Sequence, residues 1–225
     1  MTEPLTRHGI SDVLDPLGWR LILGVAVTHV RVPSLSAAVD AAAAAVSTAG
    51  VDGHLTVDLH ADRLVLRVHT PAAGTLIEAD LDLAARITDA LAGHGWHTEP
   101  GVGGVAPQSF EIAVDAMDIA LIRPFWQAVT GYVDEPAPPD LPAGGLLDPL
   151  RRGPAIWFQQ MDEPRPQRNR IHLDVDVPPE HARPRVEAAL AAGGTLLSDS
   201  AAPAFWVLAD AEGNEVCVCT WQGRD

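Results

Sequence analysis

The sequence is short of cysteine and of positive charge. Its only cysteines, Cys217 and Cys219, are separated by one residue, so they point to the same side of an apparent strand and form no long-range disulfide. Such cysteine usage is typical of a reducing compartment. Asp and Glu outnumber Lys and Arg by 30 to 15, and the formal net charge is -15. This charge repels a phosphate backbone, so nucleic acid is not an expected partner.

Three other features are missing from the sequence. No apolar run reaches the roughly 20 residues that cross a bilayer, and the first residues do not resemble a signal peptide, so we expect a cytoplasmic protein without a membrane partner. The glycines of Gly101-Val102-Gly103-Gly104 follow no predicted strand and open no clear helix, which argues against a phosphate-binding loop. A nucleophile-elbow motif of the Ser-His-Asp hydrolases is also lacking.

The length and the distribution of glycine favour two domains. The chain has 225 residues, of which 47% are hydrophobic, and this suffices for two compact cores. Residues 93–108 contain five glycines and two prolines with little periodicity. We therefore predict one domain over residues 1–95, a linker over residues 96–107 and a second domain over residues 108–225.

The N-terminal domain is predicted to combine a small sheet with two main helices. Alternating apolar residues indicate a pair of strands within residues 19–32 and a hairpin over residues 54–69. Apolar residues at helical spacing indicate helices over residues 34–49 and 76–91. The predicted fold class is α+β, with an antiparallel sheet that carries its helices on one face.

The C-terminal domain contains one pattern twice. A strand at residues 110–114 and a helix at 119–129 precede a strand at 155–160. A strand at residues 170–175 and a helix at 180–192 then precede three further short strands. The repeated order predicts two copies of one strand-helix-strands module.

A set of motifs in the N-terminal domain points to a known family. Residues 53–84 align without gaps, and Gly18-Trp19-Arg20 and residues 34–38 precede them in the same order. These stretches resemble the pterin-4a-carbinolamine dehydratases. The resemblance implies a homo-oligomeric lyase that removes the 4a-hydroxyl group of a pterin, which requires an acid and a base. Imidazoles suit both roles because their ordinary pKa lies near neutral pH.

The resemblance also implies catalytic residues. The family has His-His-Pro at the first strand of the hairpin and a third His at the end of the next strand. This chain keeps His54 at one of those positions and has Pro71 at the last, with His69 two residues before it on the same side of a regular strand. Asp80 matches an acidic position of the following helix. We therefore predict that His54, His69 and Asp80 are the catalytic residues.

Four motifs of the C-terminal domain occur in a recognisable order. They lie at residues 115–118, 124–132, 169–175 and 209–217. Together they resemble a glyoxalase-like domain of the vicinal oxygen chelate superfamily. The resemblance implies paired strand-helix-strand-strand-strand modules, abbreviated βαβββ, whose sheets curl around one cleft. In that cleft a divalent metal polarises adjacent oxygens of a substrate.

The predicted ligands and cleft residues follow from that resemblance. The metal ligands fall on Glu111, His172 and Cys217, and a divalent metal is the one cofactor that we predict. Cys217 also fits a small buried hydrophobe, and His172 a packed strand histidine. The residues predicted to line the cleft are Trp157, Trp206 and Glu215.

Three functions stay open at this point. The first is dehydration of a 4a-hydroxytetrahydropterin, that is, a lyase. The second is metal-assisted lyase, isomerase or dioxygenase chemistry on a small molecule with adjacent oxygens. The third is binding of a pterin-like ligand without catalysis, because a fold can persist after its catalytic positions are replaced.

Overall fold

The computed structural model describes residues 5–104, 106–136, 144–164 and 171–223. The chain forms two compact units. The N-terminal unit comprises residues up to Ser109, and the C-terminal unit comprises Phe110–Glu135 together with the residues from Gly144 onward. In the described residues, no helix is both long enough and apolar enough to span a membrane.

The N-terminal unit is an antiparallel sheet with three α-helices. The strand order is β1-β2-β4-β3, and the short strand β5 pairs with β2. The elements are β1 (Arg20–Ile22), β2 (Val25–Arg31), β3 (Leu55–Leu59), β4 (Arg63–Val68), β5 (Thr98–Glu99), α1 (Arg7–Leu14), α2 (Leu35–Val46) and α3 (Glu78–Gly93).

One face of this sheet packs against the helices. The side chains of a strand alternate between its faces, so every second residue of β2 and β4 points towards α2 and α3. Val30, Leu64 and Leu66 of the sheet are buried in one core with Ala41 of α2 and Ile87 of α3. The predicted α+β class is therefore confirmed.

Helix α2 begins where a serine can cap it. The Ser34 side chain accepts a hydrogen bond from the backbone N–H of Ala37 at 3.2 Å, which satisfies a donor that the first helical turn leaves unpaired. The inner face of α2 consists of buried alanines. On its outer face, Leu35, Val39 and Val46 are each about half exposed. We call these three residues the α2 stripe.

The C-terminal unit contains two βαβββ modules. The sheets have the orders β6-β9-β8-β7 and β10-β13-β12-β11, in which β6 with β9 and β10 with β13 are parallel pairs. The first module consists of β6 (Glu111–Ala116), α4 (Ile119–Thr130), β7 (Val133–Asp134), β8 (Leu146–Leu147) and β9 (Ala155–Gln160). The second consists of β10 (Leu173–Asp176), α5 (Pro179–Ala191), β11 (Thr195–Ser198), β12 (Phe205–Ala209) and β13 (Glu215–Cys219). Residues 169 and 170, which open the third motif, lie outside the described residues.

The two modules share a core on their helix-bearing sides. Val114 and Phe125 of the first module belong to the same buried cluster as Val186 and Val216 of the second. The opposite face of each sheet carries more polar and exposed residues. Within the described residues, each of the two sheets is an open sheet of four strands.

A buried aspartate ties the second module to the first. Asp210, in the turn between β12 and β13, accepts hydrogen bonds from Trp126 Nε1 at 3.0 Å, from the backbone N–H groups of Glu212 and Asn214, and from Asn214 Nδ2. The Glu212 carboxylate accepts hydrogen bonds from the backbone N–H groups of Met117 and Asp118, where α4 begins. The hairpin therefore holds the start of the other module's helix.

We expect Asp210→Ala to lower the free energy of unfolding of the C-terminal unit by about 2–4 kcal/mol, because it leaves the buried Trp126 N–H and several turn donors without an acceptor. Urea denaturation followed by tryptophan fluorescence measures the change. The control is Asp199→Ala at an exposed turn, for which a change within about 0.5 kcal/mol is expected. Equal effects of the two substitutions would contradict this role of Asp210.

Candidate functional site

The sheet and α3 bring His54, Thr70 and Asp80 together. His54 lies just before β3 and Thr70 lies two residues after β4, so the antiparallel pairing of these strands places them at the same end of the sheet. A short 3-10 turn at Pro71–Ala73 then redirects the chain, and Asp80 is in the first turn of α3. We call these three residues the His54 cluster.

The cluster is a connected set of hydrogen bonds around a buried carboxylate. Asp80 is fully buried, whereas the side chain of His54 is 34% exposed. The Thr70 hydroxyl donates to Asp80 Oδ1 at 2.9 Å, and the backbone N–H of Ile77 donates to Asp80 Oδ2 at 2.9 Å. His54 Nδ1 lies 3.3 Å from Asp80 Oδ1 and 3.1 Å from Thr70 Oγ1. Buried polar groups of this kind are stable only when such partners are present.

These contacts assign the proton on the imidazole. An ionised carboxylate only accepts hydrogen bonds, and the Thr70 hydroxyl already gives its one proton to Asp80. The atom of His54 that faces both oxygens, Nδ1, must therefore carry a hydrogen. In the neutral ring this leaves the lone pair on Nε2, which is the atom able to accept a proton from a bound molecule.

His69 lies directly across the sheet from His54. Its backbone N–H donates to the carbonyl oxygen of His54 at 3.1 Å and continues the ladder between β3 and β4. Residues opposed in this way have Cα atoms about 4.5–5.5 Å apart. The side chain of His69 is partly buried. The structure thus brings all three predicted catalytic residues to one end of the sheet, and their roles stay predictions.

A second group of chemically reactive side chains lies on the second module of the C-terminal unit. One donor atom from each of His172, Asp174 and Cys217 lies within 4.8 Å of the others. His172 and Asp174 are two residues apart and so share a side of the chain, and Asp174 is the register partner of Cys217 across β10 and β13. His172 Nε2 is 3.4 Å from Asp174 Oδ1. We call this group the His172 cluster.

The donor types of the His172 cluster fit zinc. Imidazole nitrogen, carboxylate oxygen and thiolate sulfur are the three ligand types that zinc binds in proteins. Burial, followed by the charge of Asp174, raises the pKa of the Cys217 thiol to about 11. The thiol is therefore protonated at neutral pH without a cation, and a metal that binds there must displace its proton.

The other predicted residues of this unit are spread over both sheets. Glu111 lies on β6 of the first module and is not part of the His172 cluster. Trp157 is exposed on the adjacent strand β9, whereas Trp206 packs against the shared core. Glu215 lies on the same side of β13 as Cys217, and its charge contributes to the raised pKa of the thiol.

Comparisons with known proteins agree with the family resemblance of each of the two units. The family described as "Glyoxalase-like domain" matches residues 111–219. A protein of Streptomyces coelicolor named "Putative pterin-4-alpha-carbinolamine dehydratase" is 38% identical over 101 residues, which are 42% of this chain and 97% of that protein, and the match lies in the N-terminal region. The chain belongs to the pterin-4a-carbinolamine dehydratase family. Its C-terminal unit is a glyoxalase-like domain, as the motifs predict.

Solved structures also resemble the chain. A glyoxalase/bleomycin resistance protein/dioxygenase family enzyme from Burkholderia phytofirmans is 21% identical, with 49% of this chain and 95% of that chain covered and a TM-score of 0.37. The fosfomycin resistance protein FosX from Listeria monocytogenes is 14% identical, with 53% of this chain and 93% of that chain covered and a TM-score of 0.40.

The dehydratase-family unit departs from the family motif at three positions, and the structure gives each a local reason. Gly53 has a φ of +78°, a backbone conformation in which a histidine is strained. Leu55 packs against the core, and Pro71 begins the turn that leads to α3. Thr70 is a site residue that the motif did not reveal. Its only signal in the sequence is a hydroxyl next to the missing third histidine.

Proposed function

We propose that the dehydratase-family unit removes water from a 4a-hydroxytetrahydropterin. The observation that carries this proposal is the bonding of His54 to the buried carboxylate of Asp80, with Thr70 and Ile77 holding that carboxylate in place. A partly exposed imidazole with a fixed donor side and an outward lone pair is suited to general acid-base catalysis.

The reaction needs no oxidant and no cofactor. The C4a–O bond breaks, the proton on N5 leaves, and the electron pair of the N5–H bond forms a double bond between N5 and C4a. In this proposal Nε2 of His54 accepts the N5 proton, and His69 across the ladder delivers a proton to the departing hydroxyl. One proton is taken up and one is given, so the enzyme returns to its starting charge after the two imidazoles re-equilibrate with water.

The direct test is the decay of a 4a-hydroxytetrahydropterin generated in solution, followed by absorbance with and without the full-length protein. We expect faster decay with protein, in proportion to its concentration. Decay at the buffer rate would contradict the proposal. If the protein bound an oxidised pterin tightly in that case, the unit would be a binding module.

A second candidate function belongs to the glyoxalase-like domain, and the proximity of His172, Asp174 and Cys217 favours it. We propose that these residues hold a divalent metal. Such an ion, when bound, polarises adjacent oxygens of a small substrate as a Lewis acid. The side chains His172 and Asp174 are 55% and 52% exposed, so a small molecule can reach the cluster.

We also propose that the chain forms a homo-oligomer through the α2 stripe. The residues of the α2 stripe and Ala42 are separated along the helix by four, three and four residues. Apolar residues at this spacing are typical of a helix that packs along another helix. A second copy of α2 offers the same apolar surface, as a twofold contact requires.

We expect Val39→Glu to weaken this self-association at least about tenfold, because the contact would bury an unpaired carboxylate. Light scattering coupled to size-exclusion chromatography over a dilution series measures the molar mass. Ser36→Glu adds the same charge to an exposed position of α2 outside the stripe and should leave the mass unchanged. A monomeric unmodified protein, or equal effects of the two substitutions, would contradict the proposal.

A further inference from the structure

We infer that Asp174, and not Glu111, supplies the carboxylate ligand of the metal site, so that a single module of the glyoxalase-like domain holds the ion. The inference rests on the second proposed function and makes it more specific. It assigns a divalent cation of the zinc type to three neighbouring positions of one sheet, His172, Asp174 and Cys217.

The spacing of the donors suits one small ion. In a tetrahedral zinc site with bonds of 2.0–2.3 Å, two ligand atoms lie about 3.3–3.8 Å apart. His172 Nε2 and Asp174 Oδ1 are already 3.4 Å apart, and all three donors lie within 4.8 Å. The separations among the three donor atoms can reach those of a zinc site by rotation of the His172 and Asp174 side chains. Both side chains are exposed, so this rotation costs little energy. The sulfur of Cys217 is fixed by the strand in which it is buried.

Backbone register explains why these three residues meet. Asp174 faces Cys217 in the parallel pair of β10 and β13. His172 precedes β10 by one residue and lies two residues from Asp174, on the same side of the chain. The cluster therefore depends on two neighbouring strands and needs no contribution from a distant element.

Glu111 is placed differently. It lies at the start of β6 and pairs with Ala155 in the sheet of the first module. In the part of the chain that the structure describes, no strand of the first module pairs with the sheet that carries the His172 cluster, and Glu111 is not among the residues whose donor atoms meet there. The carboxylate that the family places on the first strand of the first module thus has a counterpart in Asp174 on the first strand of the second.

The charge around the cluster also favours a cation. Asp174 is the register partner of Cys217, and Glu215 lies on the same side of β13 as Cys217, so two acidic side chains that repel each other flank the sulfur. A divalent ion relieves this repulsion. Three protein ligands leave the fourth position of a tetrahedral ion open, which is the arrangement of catalytic zinc sites.

The test uses full-length protein freed of metal by a chelator and titrated with Zn²⁺, and separately with Co²⁺ as a spectroscopic probe. We expect one ion per chain and a thiolate-to-cobalt charge-transfer band in the near ultraviolet. Asp174→Asn should weaken Zn²⁺ binding by more than about 100-fold, since loss of even an outer-shell partner typically weakens it 10–100-fold. The matched substitution Glu111→Gln should change the affinity less than about twofold.

The two cysteines give a second matched pair. Cys217→Ser should abolish the charge-transfer band, and Cys219→Ser should keep it. Circular dichroism spectra like that of the unmodified protein establish that the variants are folded. If Glu111→Gln removed the ion and Asp174→Asn did not, the inference would be wrong while the metal function stood. If the unmodified protein bound neither ion, both would fail, and the dehydratase proposal would be unaffected.

Discussion

His54→Ala should slow the protein-catalysed loss of the 4a-hydroxyl group by about 10²–10⁴-fold, the usual contribution of one general acid-base group. The reason is geometric. The side chain of His54 is 34% exposed, and the hydrogen bonds at Nδ1 leave Nε2 as the atom able to accept a proton. The measurement is kcat/KM of the full-length protein for a 4a-hydroxytetrahydropterin.

The control for this experiment is His60→Ala. His60 follows the same strand β3 at its other end and is exposed, so its loss removes an imidazole without touching the cluster. We expect its kcat/KM to stay within about twofold of the unmodified value. Catalysis that survives His54→Ala, or that both substitutions reduce equally, would show that His54 does not transfer the proton.

Asp80→Asn should lower kcat by about 10²–10⁴-fold although the side chain keeps its size. An asparagine presents one oxygen and one NH₂ group, so it cannot accept from Ile77 N–H and also from both Thr70 and His54. An NH₂ group facing His54 would favour the tautomer with its lone pair on Nδ1, which is turned away from the substrate. Loss of the correct tautomer in a comparable Asp-His pair lowers kcat by about 10⁴.

Asp80 is a positioning residue, so its test includes the state of the imidazole itself. The ¹⁵N chemical shifts of His54 should show a hydrogen on Nδ1 in the unmodified protein and a shift towards the other tautomer in Asp80→Asn. Asp82→Asn, on the exposed side of the same helix, should leave both the shifts and kcat unchanged. A folded Asp80→Asn protein with normal shifts and normal kcat would exclude the role that we assign to this carboxylate.

The secondary structure of both units is largely visible in the sequence, because burial of one face imposes a period of two on strands and of about 3.6 on helices. Alternation in β4 predicts that Leu64 and Leu66 face the core, and they do. The same rule predicts that Glu215 and Cys217 share a side of β13. Trp206 shows where this prediction from sequence periodicity stops. An aromatic residue favours burial on either side of a sheet, and only the register of β12 packs this one against the shared core.

The two clusters were harder to predict, because they depend on which segments meet. The motif identifies His54 and Asp80, but Thr70 enters the site only because β3 and β4 end side by side. Asp174 gains its importance from one register pairing, with Cys217, which no local pattern specifies. The motif also points to Glu111, which lies on the sheet of the first module, and its role stays a prediction. Sequence periodicity identifies the faces of elements, whereas sites depend on their pairing.

The hydrogen bonds of Asp210 and Glu212 limit which insertions and truncations the glyoxalase-like domain can tolerate. The turn that carries them closes the last hairpin of one repeat, yet its acceptors serve Trp126 and the first backbone donors of the helix in the other repeat. A lengthened turn, or a fragment that ends before it, would therefore unsettle the half of the domain in which no residue had been altered. The two repeats, which have the same strand order, therefore depend on each other for their stability.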